Sequence, residues 1–148
     1  MSRKVFITYD DYAYLMDILV NMLKEYKFDY IVAPPRGALP IATHLSHHLD
    51  VKNIYLYALD TLMIKSKSHI LLVDDIADTG VTLAKYAHQV QLYDAEKRKH
   101  KITTATLFYK PHSEFKPDYY VDETNNWIVF PWEVFDERPN REKYKHLE

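Results

Sequence analysis

One segment constrains the fold more than any other, because a strand pattern, two acids, a Thr-Gly turn and a helix pattern follow one another without a break. The apolar run Ile70–Val73 predicts a strand buried on both faces, as in parallel sheets. The stretch Thr82–Tyr93 has the pattern of a helix. A glycine turn at a helix N-terminus binds anions, usually phosphate, through free backbone N–H groups. The segment Leu71–Leu83 therefore predicts a strand, a phosphate loop and a helix.

Glycine is rare in this chain. Average usage gives about ten glycines in a chain this long. The 148 residues contain only two, Gly37 and Gly80. Glycine is expected where φ is positive or where backbone must approach another group closely. Both glycines follow predicted strands, and ligands of parallel sheets bind beyond the carboxyl ends of the strands. We therefore expect both glycine loops at one edge of the sheet.

The remaining pattern predicts an α/β fold. Helices are predicted at Asp10–Tyr26, Ala38–Leu49 and Thr82–Tyr93, and strands at Tyr30–Ala33, Ile54–Ala58, Ile70–Val73, Thr103–Tyr109, Tyr119–Val121 and Trp127–Phe130. This alternation predicts a mainly parallel twisted sheet flanked by helices. The length suits one domain.

Composition excludes several classes of protein. The chain has no cysteine, which rules out disulfides and thiolate metal sites and fits a cytoplasmic protein. A net charge of −2 gives no support for nucleic-acid binding. The sequence contains no apolar run near the ~20 residues of a membrane span, so we expect no membrane association. The closing Leu147-Glu148 pair is typical of an expression-tag remnant and supports no inference.

The acids Asp74 and Asp75 would repel a phosphate, but they can accept hydrogen bonds from the two hydroxyls of a ribose. Thr79 and Thr82 add hydroxyl donors beside Gly80. Alternatively the acids merely end a strand and Thr79 caps a helix. The combination at this spacing favours a ligand. The segment is neither a Walker A loop nor a dinucleotide-binding fingerprint.

The segment Val73–Thr82 resembles the phosphoribosyl pyrophosphate (PRPP) motif of the type I phosphoribosyltransferases. The resemblance implies that PRPP is bound by Asp74, Asp75, Ala77, Asp78, Thr79, Gly80, Val81 and Thr82. Members of the family that act on 6-oxopurines carry an aspartate at the position of Asp78, near purine N7. The resemblance thus implies that Asp78 is the catalytic base, and that the fold is that of the type I enzymes.

The segment Pro35–Ala38 resembles the pyrophosphate loop of the same family. Arg36 would hold the pyrophosphate, and Gly37 would let the backbone approach it. Taken alone, Arg36 is equally consistent with an exposed side chain after a proline turn.

The segments Tyr109–Pro111 and Trp127–Glu133 resemble the C-terminal hood of bacterial xanthine–guanine phosphoribosyltransferases. The resemblance implies that Lys110 contacts the purine O6, Trp127 stacks on the purine and Ile128 supplies a backbone carbonyl. Taken alone, Trp127 also suits a core aromatic and Lys110 a solvated strand end. The implied organisation is a single phosphoribosyltransferase domain over 1–148, with a core at about 1–109, a hood at about 110–135 and a charged tail.

Two features depart from the resemblance or stay outside it. The connection Leu59–His69 is shorter than the flexible loop of the family and lacks its Ser-Tyr pair. The sequence therefore leaves undecided whether this connection closes over the site. Three histidines, His44, His47 and His48, share one predicted helix. The spacing of His44 and His48 suits zinc if a third ligand is present, but surface histidines are the simpler interpretation.

The resulting expectation is a cytoplasmic purine phosphoribosyltransferase that uses PRPP and a 6-oxopurine. Mg²⁺ is expected at Asp74 and Asp75, directly or through water. The family suggests a homo-oligomer, a dimer or a tetramer. Two alternatives stay open: a regulatory protein of the same fold that binds PRPP or a nucleotide without catalysis, and a phosphoribosyltransferase for another base.

Overall fold

The computed structural model describes residues 2–65, 67–94 and 100–134. Its elements in chain order are β1 (Lys4–Phe6), α1 (Tyr9–Leu23), β2 (Tyr30–Val32), α2 (Ala38–His48), β3 (Ile54–Tyr55), a 3-10 helix (Ala58–Met63), β4 (His69–Ala77), α3 (Val81–Leu92), β5 (Lys101–Tyr109), β6 (Tyr119–Glu123) and β7 (Trp127–Val129). The main sheet has the strand order β3-β2-β4-β5-β6, and every neighbouring pair in it is parallel. The predicted parallel α/β sheet is confirmed.

Helices cover both faces of this sheet. Successive side chains of a strand point to opposite faces, so a buried strand contributes apolar residues to both. On β4, Leu71 and Val73 belong to the apolar cluster that contains the buried residues of α1 and α2. Ile70 and Leu72 point the other way, into the cluster that contains Leu83 of α3. The continuous apolar run at 70–73 therefore reports burial on two sides.

The strand β4 extends beyond the predicted end at Val73. It pairs with β5 as far as Ala77 opposite Tyr109, so Asp74 and Asp75 lie within the strand. Aspartate is rare in strands, so the sequence did not predict this extension. Pairing with the long neighbouring strand β5 provides the backbone hydrogen bonds that extend β4 through the two acids. The predicted strand at Ile54–Ala58 is wrong in its second half, since β3 ends at Tyr55 and the 3-10 helix begins at Ala58.

A second, two-stranded sheet pairs β1 with β7 in parallel, with Val5 opposite Ile128. The sequence pattern indicated β7 but not β1. This sheet brings the N-terminal residues to the segment that the resemblance identified as the hood. The charged tail beyond about 135 lies outside the described residues. None of the described helices has the length and apolar character that crossing a membrane requires.

Candidate active site

The loop between β4 and α3 is shaped by Gly80, which has φ +84° and directly precedes the first turn of α3. A β-carbon there would lie 2.5 Å from both the Ser113 hydroxyl and the Phe115 backbone nitrogen. The glycine is therefore required for its backbone conformation and for the close approach of the 113–115 segment. The loop encloses a hollow of about 80 Å³, lined by Asp74, Ile76, Ala77, Asp78, Thr79, Gly80, Thr82 and Leu83.

Asp74 lines the strand side of this hollow, and the carboxylate of the adjacent Asp75 interacts with it. Asp74 Oδ1 accepts the N–H of Asp75 at 2.9 Å, and Asp75 Oδ1 accepts the N–H of Ile76 at 2.8 Å. Burial, together with the charge of Asp75, raises the pKa of Asp74 well above its usual range. Burial also raises the pKa of Asp75, and the nearby charge of Glu133 adds to it. Such a pair favours a ligand that brings hydroxyl donors or a cation.

The loop Pro35–Ala38, predicted to bind pyrophosphate, reaches the carboxylate of Asp75. Gly37 has an ordinary φ of −62°, so backbone conformation does not demand glycine there. A β-carbon on it would instead overlap the Asp75 carboxylate. The structure thus brings Gly37 and Asp75 together, and the neighbouring Arg36 is exposed at this edge. The missing side chain permits the approach of the loop to Asp75, an intramolecular requirement that sequence reasoning did not foresee.

A lysine and a histidine lie on the two oxygens of Asp78. Lys110 Nζ is 3.3 Å from Oδ2, and His112 Nε2 is 2.9 Å from Oδ1. The side chain of Lys110 is only 8% exposed, which excludes the interpretation of a solvated strand end. Its backbone N–H donates to the carbonyl of Ala77 at 3.0 Å, so the pairing of β5 with β4 sets its position. In the structure, the residue predicted as the base and the residue predicted to contact O6 are therefore neighbours.

Sequence reasoning missed His112. It lies in no periodic segment and outside the segments that carry the resemblance. It reaches Asp78 because the 110–115 segment folds back on the β4–α3 loop. A polar residue two positions after Lys110 was the only available signal, and a surface turn would carry the same signal.

The predicted hood residues have different environments. Trp127 is 57% exposed, which excludes a core aromatic, and its backbone N–H donates to the carbonyl of Arg3 at 2.8 Å. Ile128 is buried and lines a separate cavity of about 280 Å³ with Val5, Leu15 and Phe108. Among the described residues, no hydrogen bond or ring contact joins Trp127 to Asp78 or Lys110. The proposed stacking and carbonyl contacts stay predictions.

The histidine cluster offers no built metal site. The rings of His44 and His48 stack with centroids 4.6 Å apart, and Tyr12 meets His44 edge-on. Burial and the neighbouring His48 lower the pKa of His44. Within the described ranges, no group of three or more His, Cys, Asp or Glu side chains is placed to hold a metal ion.

Fold and site together define a class: an α/β protein whose two glycine loops lie at the carboxyl edge of a parallel sheet, the edge at which such proteins bind ligands. The family model for the phosphoribosyl transferase domain matches residues 59–138. The chain belongs to the phosphoribosyltransferase family and is an enzyme of that family, with the type I fold.

Solved structures agree over nearly the whole chain. The purine phosphoribosyltransferase from Pyrococcus horikoshii is 32% identical, with a TM-score of 0.75, and the match covers 93% of this chain and 99% of that one. The xanthine-guanine-hypoxanthine phosphoribosyltransferase from Helicobacter pylori is 26% identical, with a TM-score of 0.78 and coverage of 90% and 95%. A hypothetical protein from Neisseria gonorrhoeae with bound ppGpp is 19% identical, with a TM-score of 0.72 and coverage of 99% and 96%, and shows the shared fold alone. A search of curated proteins found no match.

Proposed function

We propose that this enzyme transfers the 5-phosphoribosyl group of PRPP to a 6-oxopurine: guanine, xanthine or hypoxanthine. The products are the nucleoside 5′-monophosphate and pyrophosphate. The observation that carries the proposal is the pair formed by Asp78 and Lys110, 3.3 Å apart at the rim of the phosphate loop. The purine activities named for the relatives from Pyrococcus horikoshii and Helicobacter pylori support the same substrate class.

The Asp78–Lys110 pair supports selection of a 6-oxopurine. An oxopurine with its proton on N7 presents an N–H donor beside the O6 acceptor. A carboxylate accepts the first, and an ammonium donates to the second. Adenine presents an amino donor at position 6, where it would oppose the ammonium of Lys110. Trp127, exposed on β7, would stack on the base, and the backbone carbonyl of Ile128 would contact the group at position 2.

The phosphoribosyl end would lie in the hollow at the start of α3. Backbone N–H groups of Gly80, Val81 and Thr82 would hold the 5′-phosphate, with the hydroxyls of Thr79 and Thr82 as further donors. The carboxylates of Asp74 and Asp75 would accept the ribose hydroxyls. Arg36 would bind the pyrophosphate from the second loop.

The chemical step follows from these positions. N9 of the base bonds to C1′ of the ribose as the bond from C1′ to the pyrophosphate oxygen breaks, and its electron pair leaves with pyrophosphate. The N7 proton passes to Asp78, which acts as general base. The carboxylates of Asp74 and Asp75 favour the positive charge that develops on the sugar.

The donor set at Asp74 and Asp75 fits Mg²⁺. Two crowded carboxylates whose pKa values are raised offer hard oxygen ligands, and a cation would relieve their mutual repulsion. Since the described part of the chain holds no cluster of three such groups, PRPP oxygens or water would complete the coordination. A bound Mg²⁺ would neutralise charge on the departing pyrophosphate.

The test is a spectrophotometric assay with PRPP, Mg²⁺ and, separately, guanine, hypoxanthine, xanthine and adenine. We expect turnover with at least one 6-oxopurine and none with adenine. Turnover with adenine alone would contradict the role of Lys110. PRPP binding by calorimetry without turnover of any base would favour another acceptor base or a regulatory role. The short connection that carries the 3-10 helix Ala58–Met63 motivates the regulatory alternative.

The expected homo-oligomer and the cytoplasmic location also remain proposals. Light scattering of the purified enzyme at working concentration would distinguish a monomer from a dimer or a tetramer. Fractionation of cells that produce the protein would test the location.

A further inference from the structure

We propose that His112 is a positioning residue for Asp78, holding one carboxylate oxygen so that the other faces the purine. The inference rests on the proposed function, since it assigns Asp78 the role of base. It concerns a residue outside the segments on which the family resemblance rests.

The two oxygens of Asp78 have different partners. Nε2 of His112 lies 2.9 Å from Oδ1, and Nζ of Lys110 lies 3.3 Å from Oδ2. In the proposed complex the Lys110 ammonium turns toward O6 of the base, which leaves Oδ2 free to accept the N7 proton. The hydrogen bond from His112 to Oδ1 prevents rotation of the carboxylate at that moment, and a base held in one orientation reacts faster.

The backbone holds His112 in register with Asp78. On one side of the histidine, the N–H of Lys110 donates to the carbonyl of Ala77 at 3.0 Å. On the other side, the N–H of Glu114 donates to the carbonyl of Thr79 at 2.9 Å. Ala77 and Thr79, the residues on either side of Asp78, are thus hydrogen-bonded to Lys110 and Glu114, which lie two positions before and after His112. Two chain segments fixed at both ends keep the imidazole and the carboxylate together.

A turn closes the segment that carries the histidine. The N–H of Ser113 donates to the carbonyl of Lys110 at 2.9 Å. The same segment packs where any side chain at Gly80 would stand. The side chains of His112 and Asp78 are both about half exposed, but this packing makes their contact a consequence of the loop structure, whereas an isolated surface ion pair contributes little. A surface pair would leave kinetics unchanged, so the two interpretations make different predictions.

The test compares His112→Ala with His112→Gln, because glutamine keeps an N–H donor at similar reach. We expect His112→Ala to lower kcat about fivefold to tenfold, the effect of one hydrogen bond to a charged group. The KM and calorimetric Kd for PRPP should not change, since His112 is not among the residues that line the hollow proposed to hold the phosphoribosyl group. His112→Gln should restore kcat to within about twofold of wild type. His47→Ala, an exposed histidine of α2, is the matched control and should behave as wild type.

A second comparison tests whether His112 acts through Asp78. In an Asp78→Asn background, His112→Ala should cause little further loss, because the carboxylate it positions is gone. Equal kcat for wild type and His112→Ala, equal impairment of the alanine and glutamine variants, or a full additional loss in the double variant would each overturn the inference. A wild-type enzyme that turns over no purine would instead overturn the proposed function, and this inference with it. Thermal unfolding of each variant checks that the fold is retained.

Discussion

The backbone of Gly37 lies so close to the carboxylate of Asp75 that a β-carbon on residue 37 would overlap Oδ2. Gly37 follows β2 and Asp75 lies in β4, and these two strands are neighbours in the parallel sheet. The loop predicted to bind pyrophosphate and the strand end predicted to bind ribose therefore form one continuous surface. Their contact depends on the absence of a single side chain.

We expect Gly37→Ala to weaken PRPP binding and to destabilise the fold by about 1–3 kcal/mol, because the loop and the half-buried carboxylate must move apart. Calorimetry with PRPP and urea unfolding measure the two effects. The matched control is Gly37→Ala in an Asp75→Ala background, where the carboxylate is missing and the cost in unfolding free energy should shrink. Equal costs in both backgrounds would show that the contact is not the cause.

Gly80→Ala should be damaging for a different reason. At φ +84° an alanine is strained by roughly 1–2 kcal/mol, and its β-carbon would also collide with the segment at Ser113 and Phe115. We expect a lower melting temperature and a loss of PRPP affinity, measured by calorimetry and thermal unfolding. In the double variant Gly80→Ala/Ser113→Ala, the collision with the Ser113 hydroxyl is removed but the collision with Phe115 remains, so little stability should be recovered. Full recovery of stability would mean that the conformation of residue 80 carries no cost.

Asp78→Asn should lower kcat roughly a hundredfold or more, since amide nitrogen and oxygen cannot take the N7 proton. The calorimetric Kd for PRPP should change much less than kcat, because the proposed role of the Asp78 carboxylate is toward the base. Steady-state kinetics and calorimetry separate the two quantities. Asp10→Asn, on the exposed first turn of α1, is the control and should retain wild-type turnover. Wild-type kcat in Asp78→Asn would remove this residue from the mechanism.

Lys110→Met should lower kcat/KM for the best 6-oxopurine roughly tenfold or more, because the proposed donor to O6, itself a buried ammonium, is lost. Selectivity against adenine should fall in parallel. The comparison variant is Lys116→Met, where an exposed lysine lies over the rings of Tyr109 and Tyr120. If both lysine variants lose activity equally, the loss does not report a contact with O6.

Asp74→Asn should stabilise the fold while it weakens PRPP binding. In the folded state burial raises the pKa of Asp74, so the folded protein binds this proton more tightly than the unfolded chain does. Stability therefore falls as pH rises from the ordinary value of 3.8 through the raised folded pKa, and the full penalty applies above that window. The asparagine variant lacks this penalty, and we expect a gain of about 1–2 kcal/mol at neutral pH.

Urea unfolding across the acidic to neutral range measures this difference. The gain of Asp74→Asn over wild type should grow with pH and then level off. Asp122→Asn, at an exposed position of β6, is the control and should show no such gain. A gain that does not change with pH would point to a cause other than the ionisation of Asp74.

The sequence alone was sufficient for the three helices, the five strands of the parallel sheet and the two glycine loops, but not for β1 or the 3-10 helix at Ala58–Met63. The apolar run at 70–73 and the helical periodicity of 82–93 are local records of which faces are buried, so they can be read from neighbouring residues. The motif from Asp74 to Thr82 likewise lies within one short segment. For that reason its likeness to the PRPP motif was visible before any contact was known.

Only the tertiary structure revealed how distant segments meet. Four features depend on residues that are far apart in the chain: the β1–β7 pairing, the contact of Gly37 with Asp75, the burial of Lys110 and the approach of His112 to Asp78. No periodicity records such contacts, because they depend on where the 110–115 segment returns and on how long β4 stays paired with β5. Local pattern thus determined most of the elements and the resemblance to the family, and packing between elements decided which side chains surround Asp78.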